Sequence, residues 1–398
     1  MPTETQTDFD VLIVGAGPAG LALNAILAKS GLSVACIDPL DRATILGSTY
    51  DQRTTAISYR SAQILNRAFD WENFVAQNGC AIEHIQIMDG DLKNRLQFSS
   101  TDIDDKTFGW IVQNHDLRLA LYNMIDSHAN AALITATATG MHIEKDHAVL
   151  NTDKGDYTAR LLIGADGRQS SIRKWCGIGA RSWSYHQRAL VFTVQHENPH
   201  HHTAIEYFMP EGPFAVLPMV NDAQGNHQSS VVWSEHKPFK QSALHYDEGL
   251  FNKVLNRHFP EFYGTVQLNS PRFQYPLSLV HAHDYIAPRT ALIAEAAHGM
   301  HPIAGQGLNM SYRDVDSLAT LLIDAHIQNT DMGAFSILQS YQQSRRFDNM
   351  QMMGATDILN RLFSNKSKIL RFGRHMGMRF IDNTPKVKEF FIRRAMGL

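Results

Sequence analysis

Cysteine is scarce: Cys36, Cys80 and Cys176 are three in 398 residues and far apart. That argues against a disulfide framework and for a reducing compartment. No apolar run approaches the roughly 20 residues that span a bilayer, so the chain is expected to be soluble or to lie on a membrane surface. The opening MPTETQTDFD has no basic segment followed by an apolar stretch, and no secretory signal is expected. A basic excess is missing too; the formal net charge of −3 gives no reason to expect nucleic acid. The one histidine run, His200-His201-His202, lacks metal-site spacing and reads as a solvated loop. No repeat, low-complexity segment, nucleophile triad or metal cage is present. What remains, 44% apolar and 19% charged, fits an ordinary globular protein long enough for two packed domains.

The first residues after that opening carry a pattern. Residues 9–14 are short, apolar and β-branched, and stop at glycine, as a buried parallel strand does. An almost wholly apolar helix over 18–30 and a second buried strand over 33–38 complete a βαβ unit. Helices are expected over 57–69 and 115–128, with strands between them in 80–112. Leu161–Gly164 is again a buried strand. Segments 190–195, 203–208, 213–219 and 229–234, parted by Pro, Gly, Asn and Asp turns, predict an antiparallel sheet. Ala291–Ala294 returns to the buried-strand pattern before a helix over 306–326. Residues 335–398 read as helices interrupted at Asn383-Thr384-Pro385.

Gly15-Ala16-Gly17-Pro18-Ala19-Gly20 matches G-x-G-x-x-G between strand and helix. Gly15 permits the tight turn, Gly17 lets backbone approach a pyrophosphate, and Gly20 lets helix and strand pack closely. The helix start offers unpaired N–H groups to phosphate. Asp38, 18 residues after Gly20, ends the second strand, where a carboxylate can accept from ribose hydroxyls. This motif alone does not separate FAD from NAD. Two further segments follow strands in the same way: Gly164-Ala165-Asp166-Gly167-Arg168 with Ser170 and Arg173, and Ala294-Glu295-Ala296-Ala297-His298 running on to His301-Pro302-Ile303-Ala304-Gly305-Gln306-Gly307-Leu308-Asn309.

In this order the three segments resemble the single-component flavoprotein aromatic monooxygenases of the p-hydroxybenzoate hydroxylase type. Within them the chain is most similar to the ubiquinone-biosynthesis hydroxylases. The resemblance is carried by Asp51–Ser58, Phe108–Asn114, His301–Asn309 with Arg313-Asp314-Val315, Glu206-Tyr207-Phe208, Gly212-Pro213, Leu217-Pro218 and the tail Phe380–Leu398. It implies an α/β, overall α+β, fold: a Rossmann-like FAD-binding domain (1–75, 106–180 and 276–340), an inserted antiparallel-sheet substrate domain (76–105 and 181–275) and a C-terminal helical region (341–398). It implies FAD as cofactor, NAD(P)H and O₂ as co-substrates, and hydroxylation of a polyprenylated phenol or quinol through a flavin C4a-hydroperoxide. Gly15, Gly17, Pro18, Ala19, Gly20 and Asp38 would hold the ADP half. Arg53, Asn114, Asp166, Glu295, Pro302, Gly305, Gly307, Leu308 and Asn309 would surround the rest of the cofactor. Pro302 and His301 are the catalytic candidates; His298 could donate to flavin or substrate, or be a packed, hydrogen-bonded histidine.

The family usually has Gly-Asp or Gly-Asn where this chain has Ala294-Glu295. FAD is expected to bind despite that change; the other outcome is a weakened flavin site in a non-catalytic accessory protein of a biosynthetic complex. A hydroxylase of a free small aromatic is a further alternative. It would need a closed pocket with an arginine, whereas a prenylated substrate needs a long apolar tunnel. Basic residues interleave with apolar ones from Lys366 to Arg394, the pattern of a helix that docks on a membrane surface, on a partner or on its own domain. The expected location is cytoplasmic, with possible peripheral contact at the inner face of the membrane.

Overall fold

The computed structural model describes residues 7–47, 53–89, 95–102, 106–209, 212–236, 241–300, 305–363 and 368–398, apart from the side chains of 359, 360, 368–372 and 375. Five strands lie side by side and parallel in the order Thr290–Leu292, Gly155–Gly164, Phe9–Val14, Val34–Asp38 and Ala131–Thr135. The apolar runs of the first four are buried on both faces, as a parallel sheet between helices requires, while the edge strand Ala131–Thr135 is only half-buried. Helix Pro18–Lys29 is buried all round, from Ala19 to Ala28. It packs against helices Asn114–Asp126 and Gln306–Ile327, which explains its lack of a polar face.

A second sheet is antiparallel apart from the parallel pair Thr203–Met209 and His84–Asp89. Its longest strand, Ala180–His196, pairs with His227–Glu235, Val266–Leu268 and Phe273–Ala282. This strand starts ten residues before the apolar segment seen in the sequence. Arg181 to Ser184 are exposed there, so the strand is held by pairing with Phe273–Ala282 and carries little apolar alternation. Side chains alternate cleanly beyond that point. Leu190, Phe192, Phe214, Val231 and Trp233 pack on helix Glu248–His258 through Phe251 and Leu255. Ala189, Val191, Ala215 and Val232 point to the other side, toward a cavity.

Two expected boundaries moved, and one expected solvated loop is partly buried. Residues 54–58 are a strand paired with Gly109–Gln113, and the helix starts only at Tyr59, capped by Ser58. Strand Thr290–Leu292 stops short of Ala294, whose φ of +55° is left-handed. His200 is buried and donates through Nε2 to the Met219 carbonyl (2.9 Å), while His201 and His202 are exposed. The run is thus a turn with one anchored ring, and burial holds His200 down at about 4. The C-terminal helices are Phe335–Phe363, Lys368–Asp382 and Pro385–Met396, with Pro385 opening the last one as the sequence suggests.

Candidate functional site

The three glycine-bearing segments leave the C-terminal ends of three adjacent parallel strands, where open α/β sheets bind ligands. Backbone stitches them together. Ala165 N–H donates to Val14 O (2.8 Å), and Ile293 N–H donates to Gly164 O (3.0 Å). Arg173 completes the seam, donating to the Ala296 and Arg168 carbonyls at 2.7 and 2.8 Å.

At the first segment the glycines do different things. Gly15 has a φ of +111°, and a Cβ there would lie 2.4 Å from Ala165 O; a Cβ on Gly20 would lie 2.1 Å from Gly15 O. Both positions are closed to any side chain. Gly17 differs, because nothing lies within 4 Å of where its Cβ would be. Gly17 is also the N-cap of helix Pro18–Lys29 and makes no side-chain cap bond, so the helix start faces open space. Asp38 accepts from Ala16 N–H (2.9 Å) and Leu40 N–H (3.0 Å), which fixes its carboxylate beside this turn. Arg118, buried on helix Asn114–Asp126, donates to the Ala16 carbonyl (3.2 Å).

Helix Gln306–Ile327 starts the same way. Gly305 is its left-handed N-cap (φ +61°) with no side-chain cap bond, and the Cβ position of Gly307 is open. Asn309 is the clamp here: it donates to Ala56 O and Gly305 O and accepts from Ser58 N–H (2.8–2.9 Å). Asn114 accepts from the Thr55 hydroxyl and donates its own N–H to Arg53 O. Both asparagines therefore hold the strand that carries Arg53, whose guanidinium sits 5.0 Å above the Tyr275 ring.

Glu295 is half exposed and pairs with Arg168 at 2.8 Å; Arg168 also donates to the carbonyl and hydroxyl of Ser278 (3.0 and 2.9 Å). His298 is a packed histidine, buried against Asp314 at 2.5 Å. Asp314 accepts in addition from Arg345 Nε (2.9 Å), Asn349 (3.2 Å) and Ala294 N–H (3.1 Å). Burial pushes the Asp314 carboxyl up, but His298 and Arg345 more than offset it and hold it at about 2. The strained Ala294 turn thus rests on a charged, fully bonded support.

Beside these turns opens a cavity of about 1760 Å³. Arg53, Thr55, Glu295, Gly305, Gly307 and Leu308 line it. The second sheet forms one wall, which includes Ile85, Leu96 and Phe98 of its last two strands, and Phe108 adds to the apolar lining. Phe363, Met378, Ile381 and Phe391 of the C-terminal helices line it as well. Four arginines line it and each is engaged: Arg53 on Tyr275, Arg168 on Glu295, Arg173 on backbone carbonyls, and Arg374 on Asp89 (2.7 Å, both buried).

Of the residues named from the sequence, Arg53, Glu295, Gly305, Gly307, Leu308 and Asn309 line this cavity. Gly15, Gly17, Pro18, Ala19, Gly20, Asp38, Asn114 and Asp166 do not; they stand at the neighbouring strand ends and helix starts. Asp166 caps its own helix, accepting from Ser171 N–H (2.7 Å) and Ile172 N–H (3.2 Å). His301 and Pro302 lie outside the described residues. The sequence reading assigned no role to Arg118, Asp314 or Arg345, and it counted Arg374 among the basic residues of the docking tail, whereas Arg374 is buried on Asp89. Asp314 and Arg345 are 31 positions apart, so no local spacing signals them. Two uncapped helix starts with open Cβ positions suit a dinucleotide whose charged middle needs backbone donors, and so the residues present fit FAD.

The FAD binding domain family model matches residues 8–356. Ubiquinone hydroxylase UbiL of Rhodospirillum rubrum is 37% identical over 98% of this chain and 89% of its own length. The 3-demethoxyubiquinol 3-hydroxylase of Escherichia coli is 29% identical, over 99% of this chain and 100% of its own. Among solved structures, p-nitrophenol 4-monooxygenase PnpA of Pseudomonas putida shares the fold with a TM-score of 0.78 at 17% identity, covering 98% of this chain and 99% of that one. The chain belongs to the FAD binding domain family, as one of its FAD-dependent monooxygenases with NAD(P)H as co-substrate.

Proposed function

We propose that this enzyme hydroxylates the ring of a polyprenylated phenol or quinol in ubiquinone synthesis. The observation that carries the reading is the cavity, whose mostly apolar lining joins residues of the glycine turns with residues of the C-terminal helices. A lipid tail needs such a length of apolar lining, whereas a free aromatic acid needs a cation to meet its carboxylate. Two of the lining cations, Arg168 and Arg374, are neutralised by carboxylates, and the extent of the apolar lining favours the tailed substrate; the exposed Lys174 is the cation that a free aromatic acid would have to use.

In this reading Gly15, Gly17, Pro18, Ala19, Gly20 and Asp38 hold the ADP half of FAD. Arg53, Asn114, Asp166, Glu295, Pro302, Gly305, Gly307, Leu308 and Asn309 hold the remainder, directly or through the strands they fix, and His301 and Pro302 are the catalytic candidates. When bound, FAD supplies the redox chemistry, and the protein supplies orientation and a dry apolar wall. We assign 1–75, 106–180 and 276–340 to cofactor binding, 76–105 and 181–275 to the substrate, and 341–398 to a helical region that closes the cavity. No helix among the described residues is long and apolar enough to cross a membrane; the proposed location is cytoplasmic, with peripheral contact at the membrane. The test is quinone-intermediate profiling in cells lacking the protein. A precursor one hydroxyl short of the normal product should accumulate. An unchanged profile would contradict the proposal.

A further inference from the structure

In the last two helices Arg374, Lys388 and Arg393 pair with Asp89, Asp102 and Glu389, whereas the exposed aromatics and the exposed Arg379 and Lys386 stand outside those pairs. Residues 368–398 hold eight Lys or Arg against two Asp or Glu, in a chain whose formal charge is −3. Met378, Ile392 and Met396 face inward and pack with Ile82, Leu96 and Phe98. On the other side Met376 and Phe380, four residues apart and so on one stripe, are 57% and 62% exposed. In the next helix Phe390 and Phe391 are 62% and 44% exposed. Large apolar side chains grouped in this way on a solvated surface mark an interaction site. Arg379, Lys386 and Arg394 are exposed in the same two helices. Apolar anchors with interleaved cations are the pattern of a helix that lies in the headgroup layer of an anionic bilayer.

A second observation ties this face to the cavity. Phe391 is exposed and also lines the cavity, as do Met378, Ile381 and Ala395 of the same helices. The aromatic face and the apolar cavity end therefore meet at one residue. We propose that helices Lys368–Asp382 and Pro385–Met396 dock on an anionic lipid surface and form the portal through which a tailed substrate passes from the bilayer into the cavity. The portal half of this inference rests on the tailed-substrate reading above; the docking half does not. Charge complementarity commits the face to anionic lipid: the basic excess is confined to this segment, and a neutral protein groove would leave it unmatched.

The FAD-loaded full-length protein should float with vesicles of phosphatidylcholine mixed with phosphatidylglycerol, and far less with phosphatidylcholine alone. High salt should weaken the binding, as screening of surface charge requires. The triple variant Met376→Ser, Phe380→Ser, Phe390→Ser avoids every residue that lines the cavity, and so should keep its FAD and its turnover of a short-tailed soluble substrate. Its partition onto anionic vesicles should fall at least about tenfold. Arg379→Glu with Lys386→Glu, which leaves the apolar anchors in place, should lower partition by a similar factor. Equal partition of parent and both variants would overturn the docking proposal. So would a parent that ignores vesicles but loses a self-associated state in the triple variant, since that assigns the face to a second copy. Vesicle binding is read without substrate, so a failed hydroxylation assay leaves it standing. Normal docking with long-tailed turnover unaffected by the triple variant would overturn the portal alone.

Discussion

The turn at Gly15–Gly20 and the turn at Ala294–Glu295 end two strands of one sheet and are built on opposite principles. At the first, backbone meets backbone: Gly15 and Gly20 leave no room for a Cβ, and Gly17 leaves the helix start open. At the second, side chains carry the geometry. Ala294 takes a left-handed φ although it has a Cβ, and Asp314, His298 and Arg345 hold it there from beneath. A turn of the first kind tolerates almost no substitution inside it. A turn of the second kind tolerates local change as long as its distant support survives, which is how Glu295 can stand where the family has a shorter acid.

The largest test of that contrast lies away from either turn. Asp314→Asn removes the charge that pairs with both Arg345 and His298, and should cost about 3–5 kcal/mol in denaturant unfolding. Because the Asp314 carboxyl is held at about 2, below its ordinary 3.8, its contribution is fully present above that ordinary value and is lost as pH falls through about 2. The gap between parent and variant should therefore close only in strong acid; a gap that closes near neutrality would break the account of the support. Gly20→Ala comes next. Its Cβ would meet Gly15 O at 2.1 Å, and a loss of about 3 kcal/mol is expected.

Gly17→Ala sharpens the comparison within the first turn. No protein atom lies near the new methyl, so stability without FAD should stay within about 0.5 kcal/mol of the parent. FAD affinity, read by flavin fluorescence, should drop about tenfold, because the methyl occupies the approach to the phosphates. Ala294→Gly acts in the opposite sense at the second turn: relief of the left-handed strain should raise the melting point and stabilise by about 1 kcal/mol or less. Smallest of all, Glu295→Asp should bind FAD at least as well as the parent. Its half-exposed pair with Arg168 is worth about 0–1 kcal/mol. A large loss of FAD would show that glutamate itself is required.

The βαβ unit and all three motif segments were legible in the sequence because their physics is local. Glycines at set offsets, buried strands and helix starts lie within a few residues of one another. The antiparallel sheet was legible only where one face is apolar. Residues 180–189 escaped because the pairing that holds them comes from Phe273–Ala282, some ninety positions away. The helix expected from residue 57 began at Tyr59 for a similar reason: Asn309, about 250 positions on, fixes Ala56 and Ser58 as a strand. The supports Asp314–Arg345 and Asp89–Arg374 leave no local trace at all. Between them they brace the Ala294 turn and tie a C-terminal helix to the second sheet beside the cavity.

That cavity is where the account is most directly tested. Turnover should be measured with one phenolic ring carrying prenyl tails of increasing length, under NAD(P)H and air, with the hydroxylated product quantified. The account predicts that kcat/KM rises with tail length until the apolar lining between Gly305 and Phe391 is filled. A flat series, or a preference for the untailed aromatic acid, would contradict it.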